Sequence, residues 1–266
     1  MCQHSHMGTH EANDTHFSMQ EMAEAWEEFQ RLGARGRDWA GWSALFTDDA
    51  TYIEHCLGEF HGAAAIHEWI LGAMEPVAPM TFSVDWAILQ PPYLAFNIWN
   101  HMPDPAGSGA RYSFSNLTLL EYAGNGKWSW EEDFYAPDGA GKTVMAWYVA
   151  GGKPTMAADL SISHVSLTPE PLSDDRDGVA EMVRAWQAGK PSYTPTATVW
   201  DHAADAVAGA DAPLFVGAAA DVVVMDGRRA FLRCGDTAVA LTHGGGGRIQ
   251  FEERAHNPSD STHGAA

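Results

Sequence analysis

Two short acidic runs hold the residue types that could do chemistry in this chain. The first is FTDDATYIEH, residues 46–55, which ends on Glu54 and His55. The second is WEEDFY, residues 130–135. Carboxyl and imidazole groups move protons, so both runs point to general acid/base work. Successive side chains of a strand face opposite ways, so only one of Glu54 and His55 can enter a given pocket. Tyr52 shares the face of Glu54. The same alternation in the second run groups Glu131, Asp133 and Tyr135 on one face. It sends Trp128, Trp130, Glu132 and Phe134 to the other. Applied to the strand-like run 111–122, it groups Phe114, Asn116 and Thr118 on one face. Carboxyls that share an apolar hollow cannot all ionise cheaply, so at least one keeps its proton into the neutral range. Glu54 or His55 then reads as a base, Asp133 as a second acid/base, and Tyr52 and Asn116 as polar anchors.

These runs need elements to position them. Met19, Met22, Ala23, Trp26, Phe29 and Leu32 recur at helical spacing in MQEMAEAWEEFQRL. RDWAGWSALF predicts a second short helix, and GAAAIHEWILGAM predicts a third, entered at Gly62. Four strand-like runs follow at 81–89, 93–101, 111–122 and 127–135, the last two joined by the turn signal AGNG. Three helical runs and one strand followed by a meander of long strands make an α+β layout, a curved antiparallel sheet folded around a helix layer. GGKPT and LTPEPLSDD read as linker, and DGVAEMVRAW opens a second block of one helix and short strands.

That second block echoes the first. LEYAGNGKWSWEEDFYAP (120–137) lies without gaps on LTHGGGGRIQFEERAHNP (241–258), and ATYIEHCLGEFHG (50–62) lies on ATVWDHAADAVAG (197–209). Both matches fall in the same order, as expected of an internal duplication whose second copy is trimmed by about a helix and some hairpin length. The expected organisation is a His-rich tail at 1–16, a pocket-bearing unit at 17–152, a linker at 153–173, a degenerate unit at 174–258 and a tail at 259–266. In the second unit Val199, Arg254 and Val239 stand where the first has Tyr52, Asp133 and Thr118, so that unit is expected to be structural. Trp128, Trp130 and Phe134 would form an outer apolar face. Its expected mate is the corresponding face with Ile249, Phe251 and Ala255, within the chain or in a homodimer.

The formal net charge is −20, which disfavours phosphate backbones and anionic membranes as partners. No run of about 18 apolar residues is present, and MCQHSHMGTHEANDTH lacks the basic and apolar regions of a secretion signal. Cys2, Cys56 and Cys234 fit free thiols in a reducing cytoplasm. His4, His6, His10 and His16 lack the companions of a metal site and read as a disordered polar tail. No P-loop, dinucleotide fingerprint, Gly-x-Ser-x-Gly or HExxH element occurs, so no cofactor or metal is expected.

Residues 17–150 resemble the nuclear transport factor 2-like, or SnoaL-like, superfamily. The likeness rests on Phe46-Thr47-Asp48-Asp49-Ala50, on Gly58, on Gly62 opening a helix with Ala65-Ile66, and on the hairpin LLEYAGNGKWSWEEDFY. It implies a cone-shaped roll with an apolar pocket at its open end. Counting forward from Ala50, the position that resembles the family's general base is Glu54; counting back from Gly58, it is His55. Trp26 and Thr118 approximate the oxyanion-holding positions of ketosteroid isomerases without reproducing that hole. Asn116-x-Thr118 replaces the Arg–Asp pair of limonene-epoxide hydrolases, while Tyr52-x-Glu54 and Asp133 stay comparable. The lighter needs of SnoaL-type cyclases, one carboxylate in an apolar pocket with a His nearby, are met. The resemblance therefore implies a cofactor-independent isomerase, dehydratase or cyclase acting on a small hydrophobic carbonyl compound such as a polyketide or steroid. Trp26, Phe114, Asn116, Thr118, Glu131, Tyr52 and Tyr135 would bind that compound. A non-catalytic module that binds a small apolar molecule or a protein is the reading from another class, and an epoxide-hydrolase-like enzyme is a third.

Overall fold

The computed structural model describes residues 17–55, 57–162, 166–203, 206–209 and 219–256. The calls on the His-rich tail, the C-terminal tail, Cys2 and Cys56 lie outside the described residues. Helices α1 (Met19–Gln30), α2 (Trp39–Ser43) and α3 (Ala63–Met74) lie among strands β1 (Phe46–Glu54), β2 (Gly58–His61), β3 (Thr81–Gln90), β4 (Tyr93–Met102), β5 (Tyr112–Gly124) and β6 (Lys127–Phe134). Helix α4 (Pro137–Val149) follows, then α5 (Arg176–Gln187) and strands β7 (Tyr193–Asp201), β8 (Ala206–Gly209), β9 (Val222–Met225), β10 (Arg229–Cys234), β11 (Thr237–His243) and β12 (Ile249–His256).

Local chemistry starts and turns these elements. Ser18 caps α1 by accepting the Glu21 N–H at 3.1 Å, and Asp175 caps α5 by accepting the Gly178 N–H at 3.0 Å. Gly62 carries the chain from β2 into α3 at φ +83°. A Cβ there would come 2.6 Å from the Asp48 carbonyl oxygen, so only glycine fits without strain.

The strands form two six-stranded sheets of the same order, β2-β1-β6-β5-β4-β3 and β8-β7-β12-β11-β10-β9. Neighbours run antiparallel except β1 with β6 and β7 with β12, which are parallel. One face of the first sheet packs on α1, α2 and α3 through Trp26, Phe29, Trp42, Ile66, Phe96 and Trp128. One face of the second packs on α5 through Val179, Met182, Trp186 and Leu241. The remaining faces meet each other, with Trp86, Ile88, Leu117 and Phe134 against Val224, Phe231, Ala240 and Ala255.

Strand pairing repeats between the halves residue for residue. Tyr52 pairs with Glu131 and Glu54 with Asp133; Val199 pairs with Glu252 and Asp201 with Arg254. The contacts across the interface repeat as well. Asn97 donates to Glu253 at 2.8 Å, and Arg233, at the matching place in the second sheet, pairs with Glu132 at 2.6 Å. Within each half a histidine holds the same acceptor: His55 donates to Glu132 at 2.8 Å and His202 to Glu253 at 2.9 Å. Such reciprocal contacts are the signature of a two-fold interface, here inside one chain.

The structure corrects the alternation in one stretch. Trp128 does not lie on the outer face; it is fully buried in the helix-side core, against Phe29 and Tyr122. The cause is a bulge. Glu121 pairs with Trp130 but Tyr122 with Trp128, so Ser129 is an extra residue and the parity flips across it. The second sheet bulges at Gln250 in the same way, and Ile249 turns into its own helix-side core. Trp130 and Phe134 do face the second sheet, the first under the Arg233 guanidinium and the second against Phe231. Helix α4 was not anticipated. Its sequence carries Gly139, Gly141, Thr143 and Val144, all poor helix formers, and it holds because Trp147 is fully buried with its indole N–H on the Pro103 carbonyl.

Candidate active site

The helix-side face of the first sheet encloses a cavity of about 430 Å³. Its wall is aromatic and aliphatic, with Trp26 and Phe29 from α1, Trp69 and Ile70 from α3, and Phe96 and Ile98 from β4. Helix α4 adds Pro137, Ala140, Gly141 and Val144. Polar groups enter from β1, β5 and β6 because alternation there puts every second residue on the concave side. Tyr52, Glu54, Phe114, Asn116, Thr118, Glu131, Asp133 and Tyr135 all line the cavity, and Trp26 joins them from α1. His55 does not. It lies on the opposite face of the strand end, bonded to Glu132 and packed on Phe134.

The polar groups are linked. Asn100 donates to Asn116 at 2.8 Å, and Asn116 donates to Thr118 at 2.8 Å and to Asp133 Oδ1 at 3.0 Å. Thr118 donates to the same Oδ1 at 2.5 Å, and Tyr52 donates to Oδ2 at 2.5 Å. Glu54 accepts the Tyr135 hydroxyl through Oε1 and the Leu57 N–H at 2.7 Å through Oε2. The second bond closes the turn between β1 and β2. Glu131 is 4% exposed, and its Oε2 has no hydrogen-bond partner among the described residues.

Burial sets the acidity of these groups. Desolvation pushes Glu131 well above the usual carboxyl range, and the neighbouring Asp133 pushes it further. Asp133 is raised to about 6, first by desolvation, against the lowering effect of the Thr118, Tyr52 and Asn116 donors. The Tyr52 phenol is raised well above its ordinary value by burial and by the two acids, so it remains a donor. Glu131 is thus the weaker acid of the pair, and Asp133, two residues on, is the one that gives up its proton as pH rises through about 6.

Asn100, Trp42 and Trp69 were missing from the sequence reading. Asn100 was detectable, because Phe96, Ile98 and Asn100 alternate along β4 as the other inward sets do. The indoles come from helices whose orientation is decided only by packing.

In the second half the corresponding positions hold a different arrangement. Glu252, matched to Glu131, accepts Arg254 Nε at 2.6 Å, Tyr193 at 2.5 Å and Trp186 Nε1 at 3.3 Å. Arg254 occupies the place of Asp133, so a buried carboxyl pair is replaced by a buried ion pair.

No helix among the described residues is long and apolar enough to cross a membrane. No group of three metal-ligating side chains occurs among them either. No curated protein matches the chain. Several solved structures are similar to about half of the chain. TerC, co-crystallised with polyporic acid, is 15% identical, with 46% of this chain and 97% of that one covered at a TM-score of 0.40. An NTF2-like protein of unknown function from Burkholderia pseudomallei is 16% identical, with 50% and 100% covered at 0.39. A Mycobacterium tuberculosis protein in complex with estradiol-17beta-hemisuccinate is 14% identical, with 44% and 94% covered at 0.36. The SnoaL-like domain family matches over residues 19–130, the stretch that builds α1 to β5 and begins β6. Residues 19–130 of this chain are a SnoaL-like domain.

Proposed function

We propose that the first half is a cofactor-independent proton-transfer enzyme acting at a carbon beside the carbonyl of a small hydrophobic compound. The reaction would be an isomerisation, dehydration or cyclisation. The observation that carries this reading is the pair Glu131 and Asp133, two residues apart on β6, both in the wall of an apolar cavity and both weaker acids than usual. Asp133, ionised above about 6, removes the proton. Glu131, still neutral, donates a hydrogen bond to the substrate oxygen as negative charge builds there. Tyr52, Asn116 and Thr118 hold the Asp133 carboxylate in place, and the aromatic wall keeps water away. Residue order offers Glu54 or His55 as the base. In this reading Glu54 anchors Tyr135 and the β1–β2 turn, and its charge sustains the basicity of Asp133. His55 has no part in the chemistry.

The division into a working unit at 17–152 and a degenerate, non-catalytic unit at 174–258 belongs to the same proposal, as does a cytoplasmic location. The second unit covers the outer sheet face of the first.

Deuterium uptake from heavy water tests the reading. The protein is incubated with 2-tetralone and with cyclic β,γ-unsaturated ketones, and exchange at the carbon beside the carbonyl is followed by NMR. Catalysed exchange that falls about 100-fold or more in Asp133→Asn is expected. Exchange no faster than buffer across the panel favours the alternative, a binding module, which the three donors saturating Asp133 would also suit.

A further inference from the structure

The sign of the charge in the cavity narrows what it can take. Among the described residues its wall contains three acids, Glu54, Glu131 and Asp133, and no Lys, Arg or His. Hydroxyls, an amide and a backbone N–H donate to Glu54 and Asp133; these satisfy lone pairs but add no positive charge. A second observation is independent of charge. Glu131 is more than nine-tenths buried, lines the cavity and has one oxygen with no hydrogen-bond partner among the described residues. A third is the lining itself, in which Trp26, Trp39, Trp42 and Trp69 present indoles to the space. Indole faces carry negative quadrupole potential and attract cations.

We propose that the ligand of this cavity is a small cyclic carbonyl compound that carries a protonated amine. Its oxygen sits at Glu131, and its ammonium group sits over the indoles, within the field of the ionised acids. Two other classes fit less well. A carboxylate, a phosphate ester or a thioester of a phosphorylated carrier would bring a like charge into a space with no cation to receive it. A neutral hydrophobic ketone would satisfy the apolar wall and Glu131 but would gain nothing from the acids. Coulomb attraction beside an apolar wall is stronger than in bulk water and acts without direct contact, so the ammonium need not displace the donors on Asp133. The inference uses the same cavity as the proposed reaction, and it can fail separately from it.

Calorimetric titration with three probes on one frame tests it: 2-(2-naphthyl)ethylamine, 2-(2-naphthyl)ethanol and 2-naphthylacetate. At pH 8 the amine is expected to bind at least about ten-fold more tightly than the alcohol, and the acetate not measurably. The titratable groups facing Asp133 are Tyr52, Glu54, Glu131 and Tyr135, and α1, α3 and α4 add none to the wall. The amine's advantage should therefore shrink at pH 5, as Asp133 takes up its proton, and in Asp133→Asn at pH 8. If that variant does not fold, the wild-type pH series carries the test alone. Equal or tighter binding of the alcohol, measurable binding of the acetate, an advantage indifferent to pH, or no saturable binding by any probe overturns the proposal. Amine preference without catalysed deuterium exchange would remove the enzyme reading and leave this one standing. Exchange without amine preference would do the reverse.

Discussion

Asp133→Asn separates a dry carboxyl from an ordinary one through stability alone, with no substrate needed. In the folded protein this carboxyl is raised from 3.8 to about 6, chiefly by burial. A group that is a weaker acid when folded binds its proton more tightly in the native chain than in the unfolded one. Its contribution to stability is therefore fully present below about pH 4 and is lost as pH rises through about 6. At about 1.4 kcal/mol per pH unit, the loss amounts to about 3 kcal/mol. Asparagine cannot titrate, so the step disappears in the variant. Its amide keeps one oxygen for Thr118 and Asn116 but turns an N–H toward the Tyr52 hydroxyl, an offset of about 1–2 kcal/mol that does not vary with pH. Glu131 adds to the step, because the Asp133 charge raises it and the variant lacks that charge. Urea unfolding of both proteins, followed by tryptophan fluorescence from about pH 4 to pH 8, measures the difference. The difference should move by about 3 kcal/mol in favour of the variant across that range. A flat difference, or one that moves the other way, would mean that Asp133 is solvated and acidic as usual, and the case for a base poised near neutrality would go with it.

Three further outcomes follow from the same geometry. Thr118→Val removes the 2.5 Å donor to Asp133 and so raises that carboxyl further; the pH–rate midpoint should climb by about one unit, and an unmoved midpoint would contradict the network. His55→Gln should keep kcat within about two-fold and lose about 1–2 kcal/mol of stability in denaturant titration, since His55 serves Glu132 at the interface; a 100-fold rate loss would restore it as a catalytic group. Arg254→Ala strands Glu252 in the second core and should destabilise by about 3–5 kcal/mol in the same titration, while KM per folded molecule stays unchanged.

Much of the site is legible in residue order because strand alternation is a local property. Tyr52 and Glu54 share a face, as do Asn116 and Thr118, and as do Glu131, Asp133 and Tyr135, and all seven reach one cavity. The internal echo is legible for a related reason. Two gapless matches align positions that the strand pairing then places opposite equivalent partners, Glu131 with Tyr52 and Glu252 with Val199. Alternation failed at Trp128 because nothing about Ser129 marks it as an extra residue; a bulge is decided by how two strands pair, and one strand's sequence does not carry that. Helix α4 escaped notice because its residues are poor helix formers, held by one buried indole whose partner lies 44 residues away.

The order of residues determined which groups travel together: the acids of β6 and the anchors of β5. Backbone geometry repeats every two residues in a strand whatever surrounds it, so these sets could be read without coordinates. Tertiary packing alone decided which set is dry. Glu131 and Glu132 are neighbours with identical side chains and both are buried. Glu132 meets Arg233 across the interface and His55 from its own sheet, while Glu131 faces indoles and another acid. Charge and desolvation depend on what the fold brings within a few ångströms: the Arg233 that meets Glu132 and the indoles near Glu131 come from parts of the chain remote in sequence.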